Sequence, residues 1–327
     1  MAIESMMNKL KILLKTNPIT RNGYQVLKYK HDNFRNKIKF KYTGKYIDRS
    51  KGSEYLCIVL AGYKEFAYPN VFGRIKKYQR EDMDICVISS GLYSEELDRI
   101  CEKNSWSYLS TEQNNVCLVQ NVAIAKHTNA KYIFKLDEDV FITENYFDNM
   151  MRAYRHAKSG KYNPGVMAPL LLVNGYSSAR IIEKLNLVQI YEKKFGKFKY
   201  ATGPLTQIES NPEFAKFMWG ESDYVSNIDE LNTKFSEQDL DEKPCPYRFS
   251  IGAILFEKSL WEEMQYFSVE KNSIGMGADE EQLDTYCFLH SKPLMVSENI
   301  VVGHLSFSKQ NQAMKEYYQK YKNRFTY

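Results

Sequence analysis

Between Tyr55 and Leu136 the hydrophobic positions come as short solid runs separated by stretches with helical spacing. Tyr55 to Ala61 is an apolar run ended by Gly62 and predicts a buried strand. Asn70 to Gln79 then predicts a helix, Asp84 to Ser89 a strand, Ser94 to Lys103 a helix, Trp106 to Leu109 a short strand and Val116 to His127 a helix. Tyr132 to Leu136 is a further apolar run, and it leads straight into Asp137-Glu138-Asp139. Strand and helix alternate throughout, so the predicted fold class is α/β, a mixed, mostly parallel sheet flanked by helices. Ligands of such sheets lie beyond the carboxyl ends of the strands, where the acidic cluster falls.

The pattern loosens after Asn145. A helix is expected over Tyr146 to Lys158 and a strand over Val166 to Val173. Residues 180–244 are rich in lysine and aromatics, carry Pro204, Pro212 and Pro244, and show no alternating strands; they read as an insertion on the acceptor side or a lid. Strand character returns over Tyr247 to Phe256 and Glu298 to His304, with helices over Ser259 to Tyr266 and Glu280 to His290. Before the regular part, Met6, Leu10, Leu13 and Leu14 sit among lysines at the spacing of a short amphipathic helix. The layout is a basic extension over 1–52, a catalytic domain over 53–308 and a basic aromatic tail over 309–327.

Charge changes this picture at one end. The formal net charge is only +5, yet the basic residues crowd into the first 51 positions against Glu4, Asp32 and Asp48. That segment either packs on the body or meets an anionic surface, so peripheral membrane contact is expected for the termini. No nucleic-acid-binding motif accompanies it, and no nucleic-acid partner is expected. No apolar run reaches the roughly 18 to 20 residues that cross a bilayer, and the N-terminus lacks a signal peptide's pattern. A cytoplasmic protein, held at the inner face of the plasma membrane, is the expectation. The six cysteines are scattered with no metal-finger spacing, and read as reduced, mostly buried thiols. The 25 tyrosines, 18 phenylalanines and 3 tryptophans suit stacking on sugars or are simple bias; Trp219, Trp261 and Tyr247 can equally be core.

Asp137 and Asp139 are one residue apart at a strand exit, so both can share a hard divalent cation, Mn2+ or Mg2+, with positions left for phosphate oxygens. A cation there would stabilise the charge that a departing diphosphate gains. The same spacing also arises in turns and helix caps. Lys135 and Gln120 could meet phosphate or sugar, or be solvated.

The stretches CIVLAGYKE, DICVISSGLYSEEL and QNNVCLVQNVAIAKHTNAKYIFKLDEDVFI together resemble the nucleotide-binding half of family 2 glycosyltransferases with the GT-A fold. In that resemblance Asp137 and Asp139 match the metal motif, and Gln120-Asn121 stands where an Arg-Asn pair is usual. Leu60, Ala61, Ser89, Gln120, Asn121, Asp137 and Glu138 then line the donor. The departures are Ser89 and Ser90 where an aspartate usually meets the nucleoside, and Ala-Gly-Tyr in the first loop. YRFSIGAILFEKSLWEEMQYF resembles the family's Gly-Ala segment and acceptor-side helix, and GADEEQL its acidic element, which makes Asp279 or Glu280 the catalytic base. Those carboxylates would otherwise stabilise a helix N-terminus. His304 takes the position of a third metal ligand, or is a structural strand-end histidine.

The resemblance spans Tyr55 to Ser308. It implies a metal-dependent, inverting hexosyltransferase. Its substrates would be a nucleotide-sugar donor, a UDP-sugar by preference, and a glycan or lipid-linked acceptor in bacterial capsule or polysaccharide assembly. A nucleotidyltransferase of similar fold, or a non-catalytic glycan- or membrane-binding module, is the alternative.

Overall fold

Apolar, β-branched runs dictate the centre of the molecule, and the computed structural model describes it over residues 37–203, 205–269 and 277–327. The amphipathic helix expected near Leu10 lies outside the described residues. Two units are distinguished, Met1–Lys41 and Tyr42–Tyr327. Of the first, the described residues 37–41 form a short turn closed by the Phe40 and Lys41 amides on the carbonyls of Lys37 and Ile38.

The second unit opens with β1 (Gly44–Ile47), β2 (Tyr55–Leu60), α1 (Tyr68–Tyr78), β3 (Met83–Ser90), α2 (Glu95–Asn104), β4 (Ser107–Thr111), α3 (Val116–Lys126) and β5 (Tyr132–Asp137). Then come β6 (Val140–Phe141), α4 (Tyr146–Ser159), β7 (Val166–Leu171), α5 (Gly175–Lys184), α6 (Val188–Phe195), α7 (Gln207–Ser210), α8 (Pro212–Met218) and α9 (Ile228–Ser236). β8 (Glu242–Pro244), β9 (Ala253–Glu257), α10 (Lys258–Glu263), α11 (Ala278–Leu289), β10 (Leu294–His304) and α12 (Asn311–Lys320) complete it.

The sheet runs β1-β4-β3-β2-β5-β9-β7-β10-β6, with β8 on β10. β4, β3, β2 and β5 are mutually parallel, as are β7 and β10; β9 enters antiparallel between β5 and β7. The fold is therefore a mixed, mostly parallel sheet with covering helices, as the alternation predicts. Leu56, Cys57, Ile58 and Val59 of β2 are fully buried, and each such apolar side chain contributes about 1.5–3 kcal/mol over its exposed state. α3 is buried almost all round, from Cys117 to Ile124, because it packs between the sheet and α11. Asn115 caps it through the Leu118 amide. The six cysteines are unpaired, and all but Cys245 are buried.

Several expected boundaries shift. The extension expected to residue 52 gives way at Tyr42, because β1 pairs antiparallel along β4 and covers that edge of the sheet. Only residues from Ala253 of the expected Tyr247 to Phe256 strand join the sheet; the segment before it stays irregular and carries side chains into the candidate site. β10 starts earlier than expected, at Leu294, and bulges between Ser297 and Val301. Residues 180–244 are mainly helical. The 309–327 tail turns its aromatic face inward: Tyr317, Tyr318 and Phe325 pack with Phe141 and Trp219. Among the described residues no helix is long and apolar enough to cross a membrane.

Candidate active site

The three acids after β5 are stitched by their backbones to three different parts of the sheet. The Asp137 amide donates to the Gly252 carbonyl at 2.8 Å and the Glu138 amide to the Leu60 carbonyl at 3.0 Å, while the Asp139 carbonyl accepts from the Leu305 amide at 3.1 Å. Residues 138–139 turn out of β5, with Glu138 directed to the loop after β2 and Asp139 to Lys64 and His304. Glu138 is buried and accepts from the Gly62 amide (2.7 Å), the Tyr63 amide (3.0 Å) and the Tyr68 hydroxyl (3.1 Å). Gly62, at φ +149°, supplies the turn that aims both amides at it. Burial pushes the Glu138 carboxyl above its ordinary range. Glu138 thus pins the loop after Leu60 and Ala61 rather than facing a ligand.

Asp139 is buried, and its Oδ2 lies 2.5 Å from Lys64 Nζ and 3.7 Å from His304 Nε2. Burial pushes its carboxyl up, but Lys64 and His304 outweigh that and hold it below the usual carboxylate range. His304 ends β10, and its Nδ1 is 2.6 Å from the Val173 carbonyl. A carbonyl only accepts, so Nδ1 donates to it and Nε2 is the ring nitrogen turned toward Asp139. Asp137 keeps 30% exposure, with Oδ1 at 2.6 Å from Lys135 Nζ. Its carboxyl is raised, by burial first, with Lys135 opposing and Asp139 adding. Lys135 is buried and also donates to the Ile251 carbonyl at 2.8 Å, so it is no solvated surface group. Burial lowers the Lys135 pKa, yet Asp137, Asp279 and Glu280 together raise it above the ordinary value.

Two carboxylates and an imidazole nitrogen are ligand types that Mn2+ or Mg2+ accepts. Lys64 and Lys135 hold one oxygen of each carboxylate, and among the described residues no three or more His, Cys, Asp or Glu side chains stand close enough together to hold a metal ion.

Facing this cluster stands the first turn of α11. Asp279 and Glu280 are both buried there, and Asp279 Oδ2 accepts from Gln120 Nε2 at 2.8 Å. Glu280 Oε1 accepts from Arg248 Nε at 2.5 Å, and Arg248 in turn meets both oxygens of Glu209 on α7 at 3.2 Å. One turn along α11, Asp284 accepts from the Phe249 amide at 3.2 Å. Burial pushes the Glu280 carboxyl up to about 7 against the pull of Arg248. Asp284 is also pushed up to about 7, by burial and then by Glu280. A cavity of about 570 Å³ opens beside this pair, lined by Tyr247, Arg248, Asp284, Phe288 and Leu294.

The structure therefore brings together Gln120, Lys135, Asp137, Asp139, Asp279, Glu280 and His304. Ser89 lies apart from them, its hydroxyl committed to the Leu92 carbonyl and the Tyr108 hydroxyl. Asn121 holds the Trp261 indole and both the amide and the carbonyl of Phe267. Trp219 and Trp261 are buried core residues; Trp219 Nε1 donates to the His304 carbonyl at 3.0 Å, and its ring fills the space a side chain on Gly303 would need. Lys64, Glu209, Arg248 and Asp284 have no sequence spacing that points to them. A basic residue directly after the first loop, and an arginine ahead of the Gly252-Ala253 segment, were the available signals.

No protein-family profile matches the chain, and no curated protein does. Among solved structures it is similar to a mannosyltransferase from Pyrobaculum calidifontis in complex with GDP-Man and Mn2+, at 11% identity and TM-score 0.47, over 89% of this chain and 67% of that one. It is also similar to residues 1–349 of S. aureus TarS in complex with UDP, at 11% identity and TM-score 0.44, covering 76% of this chain and 60% of that one. At that distance neither carries a residue role across to this chain.

Proposed function

We propose that this protein is a glycosyltransferase of the GT-A type, moving a sugar from a nucleotide diphosphate donor to an acceptor hydroxyl with a divalent cation. The observation that supports this most is the opposition of two unlike carboxylate sets. Asp137 and Asp139, with His304, stand at the end of β5 beside ammonium groups, and Glu280, raised to about 7, stands across from them on α11. Asp137, Asp139 and His304 would hold Mn2+ or Mg2+, which when bound supplies positive charge to the leaving diphosphate.

The remaining work falls to the chain itself. A base near pH 7 suits proton removal at neutral pH, so Glu280 takes the proton of the acceptor hydroxyl as its oxygen bonds to the anomeric carbon. The bond from that carbon to the diphosphate oxygen breaks, and the diphosphate leaves with the electron pair. Attack opposite the leaving group inverts the anomeric configuration. Asp279, tied to Gln120, fixes the first turn of α11, and Lys135 balances charge between the two carboxylate sets. The cavity lined by Arg248 and Asp284, one turn along α11 from Glu280, gives a glycan or lipid-linked acceptor room. Among donors, a UDP-sugar is the first to try. The basic stretch within residues 1–52 supports work at the inner face of the plasma membrane, on a lipid-linked acceptor.

The test is donor hydrolysis over a panel of nucleotide sugars, with and without Mn2+, in the wild type and Asp139→Ala. Metal-dependent release of one nucleoside diphosphate, lost in the variant, is the expected result. Absence of turnover and of binding with every donor and metal would overturn the proposal.

A further inference from the structure

One oxygen in the candidate site has two claims on it. Asp139 Oδ2 is bonded to Lys64 Nζ at 2.5 Å, and the same atom faces His304 Nε2 at 3.7 Å. His304 Nδ1 is committed to the Val173 carbonyl, so Nε2 is the nitrogen that faces the carboxylate oxygen. Such a pair suits a cation between them. Lys64 meets the same oxygen from the β2 side, also touching the Ser306 carbonyl at 3.4 Å.

We propose that Lys64 is a tethered counter-cation: it competes with the divalent ion for Asp139 Oδ2, and once displaced it binds the donor's diphosphate. This rests on the donor and metal reading of the same site. Three observations carry it. Asp139 is buried, so its charge needs a partner when no metal is bound, and Lys64 supplies one. The Lys64 backbone is held in place through its neighbours, because Glu138 fixes the Gly62 and Tyr63 amides. Its long side chain, by contrast, ends in a single rotatable ammonium, so the head group can leave Asp139 without the loop moving. A largely desolvated ammonium without its carboxylate then needs an anion, and the phosphates arriving with the metal supply it. Free protein should therefore bind metal weakly, and metal and nucleotide should help each other bind.

The test uses the full chain and Mn2+ followed by electron paramagnetic resonance, with and without UDP or GDP. Lys64→Met keeps the stem and removes the charge; Lys64→Arg keeps a charge. Expected without nucleotide is Mn2+ binding about tenfold tighter in Lys64→Met than in wild type, about 1.4 kcal/mol, with Lys64→Arg close to wild type. With nucleotide, the mutual enhancement should fall in Lys64→Met. Equal Mn2+ affinity in wild type and a folded Lys64→Met would overturn the competition and leave the glycosyl-transfer reading standing. No Mn2+ binding by any form, with either nucleotide present, would overturn both this proposal and the metal role of Asp137, Asp139 and His304.

Discussion

Asp139 past the end of β5 and Glu280 and Asp284 on α11 are all largely shielded carboxyl groups, yet their proton affinities move in opposite directions. Asp139 has Lys64 against it and His304 beside it, and it stays below the ordinary range. Glu280 and Asp284 lie one helical turn apart and have Arg248 near them, and both rise to about 7. Desolvation penalises the charge on all three; at Asp139 the ion pair with Lys64 outweighs it, whereas on α11 Glu280 and Asp284 share one arginine and are each raised further by a neighbouring carboxylate. A carboxylate that stays ionised can hold a metal. One that titrates near neutrality can take a proton, and a reaction needing both has them on facing elements.

The largest expected effect comes from the ionised side. Asp139→Ala should lower metal-dependent donor hydrolysis by about 10³-fold, because it removes a proposed metal ligand together with the partner of Lys64. Steady-state assays with and without Mn2+ check this, and a variant that keeps its Mn2+ response would erase the distinction between the clusters. On the titrating side, Glu280→Gln should lower transfer to acceptor by about 10²-fold while nucleotide binding stays unchanged. Parallel transfer and calorimetric measurements separate the two, and loss of nucleotide affinity in Glu280→Gln would place that residue on the donor side.

How far the sequence reaches differs between the clusters. Asp137 and Asp139 are legible because a solid apolar run is a buried strand, and residues just past the carboxyl end of such a strand lie at a sheet's ligand-binding edge. Asp279 and Glu280 are legible as acids at a helix start, and only through family resemblance as more than that. Local patterns fail wherever the partner comes from far along the chain: Lys64 and Asp139, or Arg248 with Glu209 and Glu280, are long-range pairs inside irregular segments. Ser89 and Asn121 mislead for the reverse reason. Their order along the chain suits donor contacts, but their side chains are consumed by neighbours in the packing. The tail shows the same limit, since its basic and aromatic composition does not say that its aromatic side chains lie on Phe141 and Trp219.

Arg248 offers a finer test, because it lowers the proton affinity of Glu280 from a position outside the metal cluster. Removing its charge in Arg248→Met should raise the Glu280 pKa, so the rising limb of the pH–rate profile should move to higher pH, by on the order of one unit. The plateau above it should survive. A profile that falls at all pH values without shifting would make Arg248 a support for Glu209 and the acceptor-side helices instead.

The smallest expected effect reads the same electrostatics through stability. Asp284 has an ordinary pKa of 3.8 and is pushed up to about 7 in the folded chain. Between those values the native state keeps a proton that the unfolded chain has released, so stability falls as pH rises through that window and levels off above it. Asparagine has no proton to lose and still offers an oxygen to the Phe249 amide, so Asp284→Asn should flatten the profile. The gain at pH 8 relative to pH 4 should be on the order of 1 kcal/mol, since Asp284 titrates with Glu280 and is partly open to solvent. Urea midpoints at the two pH values measure it. An unchanged slope would mean that Asp284 is ionised at neutral pH as Asp139 is, and the contrast between the two would vanish.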